Sequence, residues 1–262
     1  RDAQPHPGAD VADPDSLVTA FMEWADGTGR ALYPHQEEAI LELYTGSNVV
    51  LATPTGSGKS LVALAAHAAS VCGGGRSWYT APVKALVSEK FFDLCAELGP
   101  EHVGLLTGDS AVNPDAPVIC CTTEVLALAA LRHGELLDAA TVILDEFHYY
   151  GERDRGWAWQ TPLITLPQSQ FLLMSATLGN VDFFRRDLTE RTDRPTALVD
   201  RAVRPVPLTY EWRDTTLHRT VEDLLEAGQA PLYVVSFSQA EAVEVASAMA
   251  SVVKLDGPAK AT

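Results

Sequence analysis

Thr53-Pro-Thr-Gly-Ser-Gly-Lys-Ser60 decides the fold, with Asn48-Val-Val-Leu-Ala52 directly before it and the alanine- and leucine-rich run Leu61–Ala69 directly after. A short apolar run, a glycine-rich turn and a longer apolar segment read as strand, loop and helix, the setting that a phosphate-binding loop needs. Backbone N–H groups across Thr55, Gly56, Ser57 and Gly58, together with the helix N-terminus, make an anion cradle that glycines let phosphates approach closely. In such a loop Lys59 reaches the β- and γ-phosphates and the Ser60 hydroxyl ligates Mg²⁺. Thr53 stands where the commonest form of the loop has Gly or Ala. On its own the segment predicts a nucleoside triphosphate site and nothing more.

A second stretch adds chemistry. Thr141-Val-Ile-Leu144 is a continuous apolar run of the kind found in strands buried on both faces. It ends in Asp145-Glu146-Phe147-His148. Two acids at a strand end could simply cap the next helix. Paired with the Lys59 loop, they read as a metal ligand, Asp145 acting on Mg²⁺ through water, and a base, Glu146, that orients and deprotonates an attacking water. Ligands bind at the carboxyl ends of strands in open α/β sheets, so the two loops are expected to meet across one crevice.

The alternation of runs supports that sheet. Strand-like Asn48–Ala52, Trp78–Ala81, Val103–Thr107, Val118–Thr122, Thr141–Leu144 and Phe171–Ser175 are separated by helix-like Leu61–Val71, Lys84–Leu98 and Glu124–Leu131, with a further helix over Gln36–Leu43. This order specifies right-handed βαβ units and a parallel sheet covered by helices on both faces. The 262 residues, 47% of them apolar, suit one large or two small domains. No run of 18 apolar residues suggests a membrane span. Residues 1–15, rich in Pro, Asp and Ala, lack the apolar core of a signal peptide and read as a flexible lead-in. Cys72, Cys95, Cys120 and Cys121 match no zinc spacing, and the last two lie in an apolar strand, which predicts buried reduced thiols and a cytoplasmic protein. The net charge of −16 argues against a broad basic face for nucleic acid. Backbone N–H groups and helix N-termini can grip phosphates without lysines, however, and missing domains could supply basic surface.

In this order, Thr53-Pro-Thr-Gly-Ser-Gly-Lys-Ser60, Asp145-Glu-Phe-His148 and Ser175-Ala-Thr177 resemble motifs I, II and III of superfamily 2 DExH helicases. Tyr33-Pro-His-Gln36 is similar to the glutamine motif, which implies that Gln36 reads the adenine edge. Ala81-Pro-Val-Lys-Ala-Leu86, Thr107-Gly-Asp109 and Thr122-Thr-Glu124 resemble motifs Ia, Ib and Ic, and Val235-Ser-Phe-Ser238 resembles motif IV. Tyr149 and Tyr150, then Asp154-Arg-Gly156, Trp159 and Leu166-Pro167, resemble the superkiller-type, exosome-associated RNA helicases. Gln160 and Phe147 depart from that branch, where an acid and Val are usual. Arginine outnumbers lysine 14 to 5, which fits a GC-rich bacterial source.

The resemblance runs over about Leu32 to Ser238 and implies an ATP- and Mg²⁺-dependent motor on single-stranded RNA. The same-class alternative is a DNA helicase or translocase. An inert nucleotide-binding module is the alternative from another class. The resemblance also implies a first RecA-like domain over residues 16–203 and an incomplete start of a second over 204–262, divided at the proline-punctuated Arg204-Pro-Val-Pro207. Strand-like Leu232–Ser236 and helix-like Thr216–Ala227 and Gln239–Ala250 fall in the second. Motifs V and VI, the latter carrying arginine fingers, are then expected in helicase domains downstream of Thr262.

Several residues carry two readings. His148 could link the nucleotide site to motif III, or be a polar residue at a strand end. Ser175 and Thr177 could couple nucleotide state to nucleic-acid grip, or close a strand and cap the next element. Lys84 could contact a phosphate or be an ordinary surface lysine. Thr107, Asp109, Thr122 and Glu124 are turn or N-cap residues by default and contacts to a nucleic-acid backbone by resemblance. Tyr149, Tyr150, Trp157 and Trp159 are expected to pack rather than stack on bases. Arg153 and Arg155 are expected in ion pairs, and His67 is expected partly buried on its helix with no functional role.

Overall fold

The computed structural model describes residues 14–202 and 206–250. The chain divides into two compact units, Arg1–Val206 and Pro207–Thr262. In the first unit, α1 (Pro14–Gly27) and α2 (Pro34–Tyr44) precede β1 (Asn48–Ala52), α3 (Lys59–Cys72), β2 (Ser77–Ala81), α4 (Lys84–Leu98), β3 (Val103–Leu106) and β4 (Ala111–Val112). Then come β5 (Val118–Thr122), α5 (Thr123–His133), β6 (Thr141–Leu144), α6 (Trp157–Thr165), β7 (Gln170–Ser175), α7 (Val181–Thr192) and β8 (Thr196–Val199). One eight-stranded sheet results, in the order β4-β3-β5-β2-β6-β7-β1-β8, parallel throughout except for β4 against β3.

Both faces are covered, as continuous apolar strands require. Alternate residues go to opposite sides. Val49 and Leu51 of β1, Tyr79 of β2, Ile143 of β6 and Leu172 of β7 join a core with α1 to α4. Val50, Trp78, Val142, Leu144 and Leu173 join the other core, with α5, α6 and α7. Asn48 locks three strands at their amino ends. Its Nδ2 donates to Thr192 and Thr196 at 2.8 and 3.3 Å, and its Oδ1 accepts from the Phe171 N–H at 2.9 Å. A fully buried amide is tolerated only when satisfied in this way. The parallel register pairs Ala52 with Ser175, and Thr80 with both Leu144 and Cys121. The loops after β1, β2, β5, β6 and β7 therefore leave one edge of the sheet together.

The expected parallel α/β architecture is present, with differences in detail. Residues 1–13 of the expected lead-in lie outside the described residues, while Pro14 and Asp15 already begin α1. That helix buries Val18, Phe21 and Ala25, spaced three and four apart, against the sheet-covering layer. β4, α6, α7 and β8 complete the sheet and its cover. The second unit contains α8 (Leu217–Glu226) and α9 (Gln239–Met249), each N-capped by a hydroxyl, Thr216 and Ser238. The expected strand Leu232–Ser236 is irregular, and among the described residues the unit has no strand for it to pair with. Tyr210, Trp212, Tyr233 and Phe237 are exposed there.

Candidate nucleotide site

The loop between β1 and α3 is shaped by its glycines. Gly56 and Gly58 both have φ of +80°, and a Cβ on Gly58 would collide with the Gln36 side-chain amide. A left-handed backbone in such tight quarters admits only glycine. Thr53, the departure from the common loop, has a local purpose: its hydroxyl meets the Ser57 hydroxyl at 2.7 Å and closes the loop on itself. Thr55 and Gly56 are exposed at the tip, and Ser57 is buried. Lys59 curls over the turn, its Nζ donating to the carbonyls of Thr53 and Pro54 at 2.8 and 3.2 Å. A phosphate entering the turn would meet that ammonium.

Gln36, on the first turn of α2, is buried and braces the loop from behind. Its Nε2 donates to the Gly58 carbonyl at 2.9 Å and to the Ser57 carbonyl at 3.4 Å, while its Oε1 accepts from the Tyr33 N–H at 2.8 Å. Both amide protons are thus engaged, so a two-point reading of adenine requires release of one loop carbonyl. His35 adds a contact to the Ser57 carbonyl at 2.8 Å. Beside these groups lies a cavity of about 700 Å³ lined by Tyr33, Gln36, Gly58, Ser60, Leu61 and Lys90, among others.

Asp145 and Glu146 follow β6 at the same edge. Asp145 is held at both carboxylate oxygens, by the Tyr79 hydroxyl at 2.5 Å and by the Glu146 N–H at 2.8 Å. Its backbone is held as well: its N–H donates to Thr80, and its carbonyl accepts from the Trp159 indole at 3.3 Å. Burial and the Asp145 charge push the Tyr79 hydroxyl well above its ordinary pKa, so it stays a donor. Glu146 has φ of +50°, an uncommon conformation for a non-glycine residue. From it the carboxylate reaches His148 Nδ1 at 3.3 Å, and the same nitrogen lies 3.4 Å from the Ser175 hydroxyl. Ser175 in turn donates to the Thr177 carbonyl at 2.7 Å. Glu146, His148, Ser175 and Thr177 therefore form a chain from the end of β6 to the end of β7. Tyr79, Trp159 and Lys90, none of them assigned to this site by the sequence, are the supporting groups.

The residues expected to touch nucleic acid pair mostly with one another or with neighbours. Lys84 donates to Asp109 at 2.6 Å, and Thr107 donates to the same carboxylate at 2.9 Å. Glu124 accepts from Arg155 at 2.6 Å and 2.9 Å, and Arg155 also binds the Pro82 carbonyl and faces the Tyr149 and Trp159 rings. Thr122 is the N-cap residue of α5 but makes no side-chain cap. Arg153 is exposed and makes no ion pair among the described residues, contrary to expectation. Tyr149 stacks on the buried Trp159, and Tyr150 packs edge-on to Phe184, whereas Trp157 is exposed. Cys120 and Cys121 are buried and all four cysteines are free, with Cys72 exposed. His67 is fully rather than partly buried, because α3 packs that face onto β2, where its Nδ1 meets the Ser77 hydroxyl at 2.7 Å.

With this geometry in hand, known proteins sharpen the picture. Residues 33–184 match the family model described as DEAD/DEAH box helicase. The chain belongs to that family. It is 36% identical over 229 residues to a chloroplastic DExH-box ATP-dependent RNA helicase of Arabidopsis thaliana, a match covering 84% of this chain and 19% of that protein. It is 35% identical over 206 residues to the antiviral helicase SKI2 of Saccharomyces cerevisiae, covering 76% and 16%. The relatives of this helicase chain thus include the superkiller-type proteins that its motifs resemble, and it spans less than a fifth of either one's length. Among solved structures, the helicase MrfA bound to DNA and AMPPNP superposes with a TM-score of 0.59 at 20% identity, covering 87% of this chain and 36% of that one. That likeness shows the fold, a RecA-like helicase unit. No described helix is long and apolar enough to cross a membrane.

Proposed function

We propose that this chain carries the ATP-binding unit of an ATP-dependent RNA helicase, over residues 16–203, and the start of a second RecA-like unit over 204–262. The observation that carries the reading is the convergence at one sheet edge of the Lys59–Ser60 loop, the Asp145–Glu146 pair and the His148–Ser175 link. In this reading Lys59 exchanges its two loop carbonyls for β- and γ-phosphate oxygens, and the loop N–H groups bind the remaining phosphate charge. Tyr33 and Gln36 bound the cavity that would take the base. Glu146 takes the proton of the attacking water, with His148 fixing its carboxylate.

Mg²⁺ suits the donors at this edge. Ser60 and Asp145 offer hard oxygen ligands, and the described residues contain no cluster of three His, Cys, Asp or Glu that would hold a metal unaided. A cation held by one carboxylate, one hydroxyl, substrate phosphates and water fits such a sparse set. Bound there, Mg²⁺ would neutralise developing phosphate charge. His148 and Ser175 would pass the state of that site to β7, and thence to the loops that grip the strand. The stabilising arginine and the rest of the cleft would come from helicase domains downstream of Thr262, and free thiols would suit a reducing, cytoplasmic setting.

RNA is favoured over DNA by the sequence motifs and by the likeness to the Arabidopsis relative, an RNA helicase. ATP turnover by the complete protein, measured with single-stranded RNA, with single-stranded DNA and with neither, tests the proposal. Stimulation by RNA above DNA is the expected result. Stimulation by DNA alone would make it a DNA translocase. No turnover under any condition would leave an inert nucleotide-binding module.

A further inference from the structure

Lys90 lies one turn and a half into α4, outside every motif, yet its side chain is only 14% exposed and points at the metal corner. Its Nζ donates to the Ser60 hydroxyl at 3.0 Å and to Asp93 at 3.4 Å. It also sits 5.9 Å from the centre of the Tyr79 ring, whose hydroxyl holds Asp145. The ammonium therefore touches one of the two residues suited to Mg²⁺ directly and the other through a single tyrosine. It also lines the cavity beside Gln36, Gly58 and Ser60.

A serine oxygen that accepts from an ammonium cannot readily ligate a divalent cation as well, because the two positive charges would crowd one atom and repel. We propose that Lys90 is a stand-in cation for the metal. It holds Ser60 while no metal is present, pairs with a phosphate of metal-free nucleotide, and yields Ser60 to Mg²⁺ by swinging to Asp93. The proposal rests on the nucleotide-site reading above.

Titration of the 262-residue chain with fluorescent mant-ADP, once in EDTA and once at saturating Mg²⁺, tests it. Lys90→Met, which keeps the apolar stem, is expected to weaken binding about tenfold in EDTA, the loss of one charge-assisted contact. In Mg²⁺ it should stay within about twofold of the parent, so that the metal tightens binding more in the variant than in the parent. Lys90→Arg, which keeps the charge, should retain most of the EDTA affinity and shows that the loss is not one of folding. Equal weakening with and without metal would overturn the exchange and leave a plain phosphate contact. No weakening in either condition would overturn it too. Lys59→Ala separates the two readings: if it binds mant-ADP as tightly as the parent, the nucleotide site itself is misassigned, whatever Lys90 does.

Discussion

The loops after β1, β6 and β7 and the loops after β2, β3 and β5 share one edge of one sheet, but they dispose of their polar groups differently. On the nucleotide half, side chains are braced by backbone and by neutral donors: Gln36 on loop carbonyls, Asp145 on a tyrosine and an N–H, Ser175 on the Thr177 carbonyl. Asp145 and Glu146 are thus oriented by backbone and neutral groups, apart from the approach of His148 to Glu146. On the other half, charge cancels charge. Lys84 is spent on Asp109, and Arg155 on Glu124. The first half keeps a glycine-shaped loop with an exposed tip at Thr55 and Gly56. The second offers a nucleic acid chiefly its backbone N–H groups and the N-termini of α4 and α5, which agrees with a chain of net charge −16.

The contrast is most open to attack at Glu146. Glu146→Gln in the complete protein preserves shape and should leave nucleotide affinity within about threefold while turnover falls about 10²- to 10⁴-fold, the usual contribution of a positioned base. Steady-state hydrolysis within a factor of ten of the parent would remove Glu146 from that role. Lys59→Ala comes next. Losing a charged donor to phosphate should weaken ATP–Mg²⁺ binding about 10- to 100-fold by calorimetric titration, with the fold unchanged. Affinity retained within threefold would mean that the curled lysine serves only its own loop.

The other half should respond in stability rather than in nucleotide binding. Glu124→Ala leaves Arg155 without its carboxylate while the Pro82 carbonyl and the two rings remain. Both partners are about a third exposed, so solvent screens the loss to about 1–2 kcal/mol. Urea denaturation measures it, and unchanged mant-ADP affinity in the same variant would confirm that the two halves are separable. A pH-dependent effect lies beneath the nucleotide half. Burial, and then the Lys90 charge, lower the His67 pKa from its ordinary 6.5 to about 3. Below pH 6.5 the unfolded chain takes up a proton that the folded chain refuses, so stability is full above that pH and falls as pH drops towards 3. Urea midpoints at pH 7, 6 and 5 should decline less steeply in His67→Gln, and equal slopes would show that the imidazole is not the sensor.

Much of the nucleotide half is legible in the sequence because its chemistry is local. Residues 53–60 and 145–148 carry the loop and the proposed metal and base residues within short runs, and β1, β5 and β6 begin and end where their apolar runs do. Whatever depends on strand order is not. Tyr79 and Asp145 are 66 residues apart and meet only because β2 lies beside β6, and no local pattern states that adjacency. The sequence expects Trp159 to pack, but no local pattern states its indole bond to Asp145, 14 residues away. The flanking elements are hard to read for other reasons. α6 has Pro162 within it, and half of the residues of α7 are charged, with Phe184, Leu188 and Thr192 buried. β8, Thr196-Ala-Leu-Val199, is a four-residue edge strand that, unlike the equally short β6, has no motif beside it to announce it. The Leu232–Ser236 run shows the opposite error, strand-like composition without a partner strand among the described residues.

The least disruptive test concerns Lys84 itself, where the two readings of the second half diverge. The pair with Asp109 is exposed on both sides, so removing it should leave the thermal midpoint where it is. If Lys84 is only half of that pair, Lys84→Ala should also leave RNA affinity alone. If the lysine trades Asp109 for a phosphate when a strand binds, the variant should bind single-stranded RNA more weakly and its dependence of log K on log salt should be shallower by about 1. Asp109→Asn then acts in the opposite direction, because a lysine no longer held by a carboxylate meets the phosphate without first breaking an ion pair, and the nearby negative charge is gone. We expect that opposed pair of shifts, measured by fluorescence anisotropy across a salt series with the complete protein. Lys84→Ala and Asp109→Asn both lying on the parent's line would show that the charges of this half cancel in the bound state as they do in the free one. The grip on nucleic acid would then belong to backbone N–H groups alone.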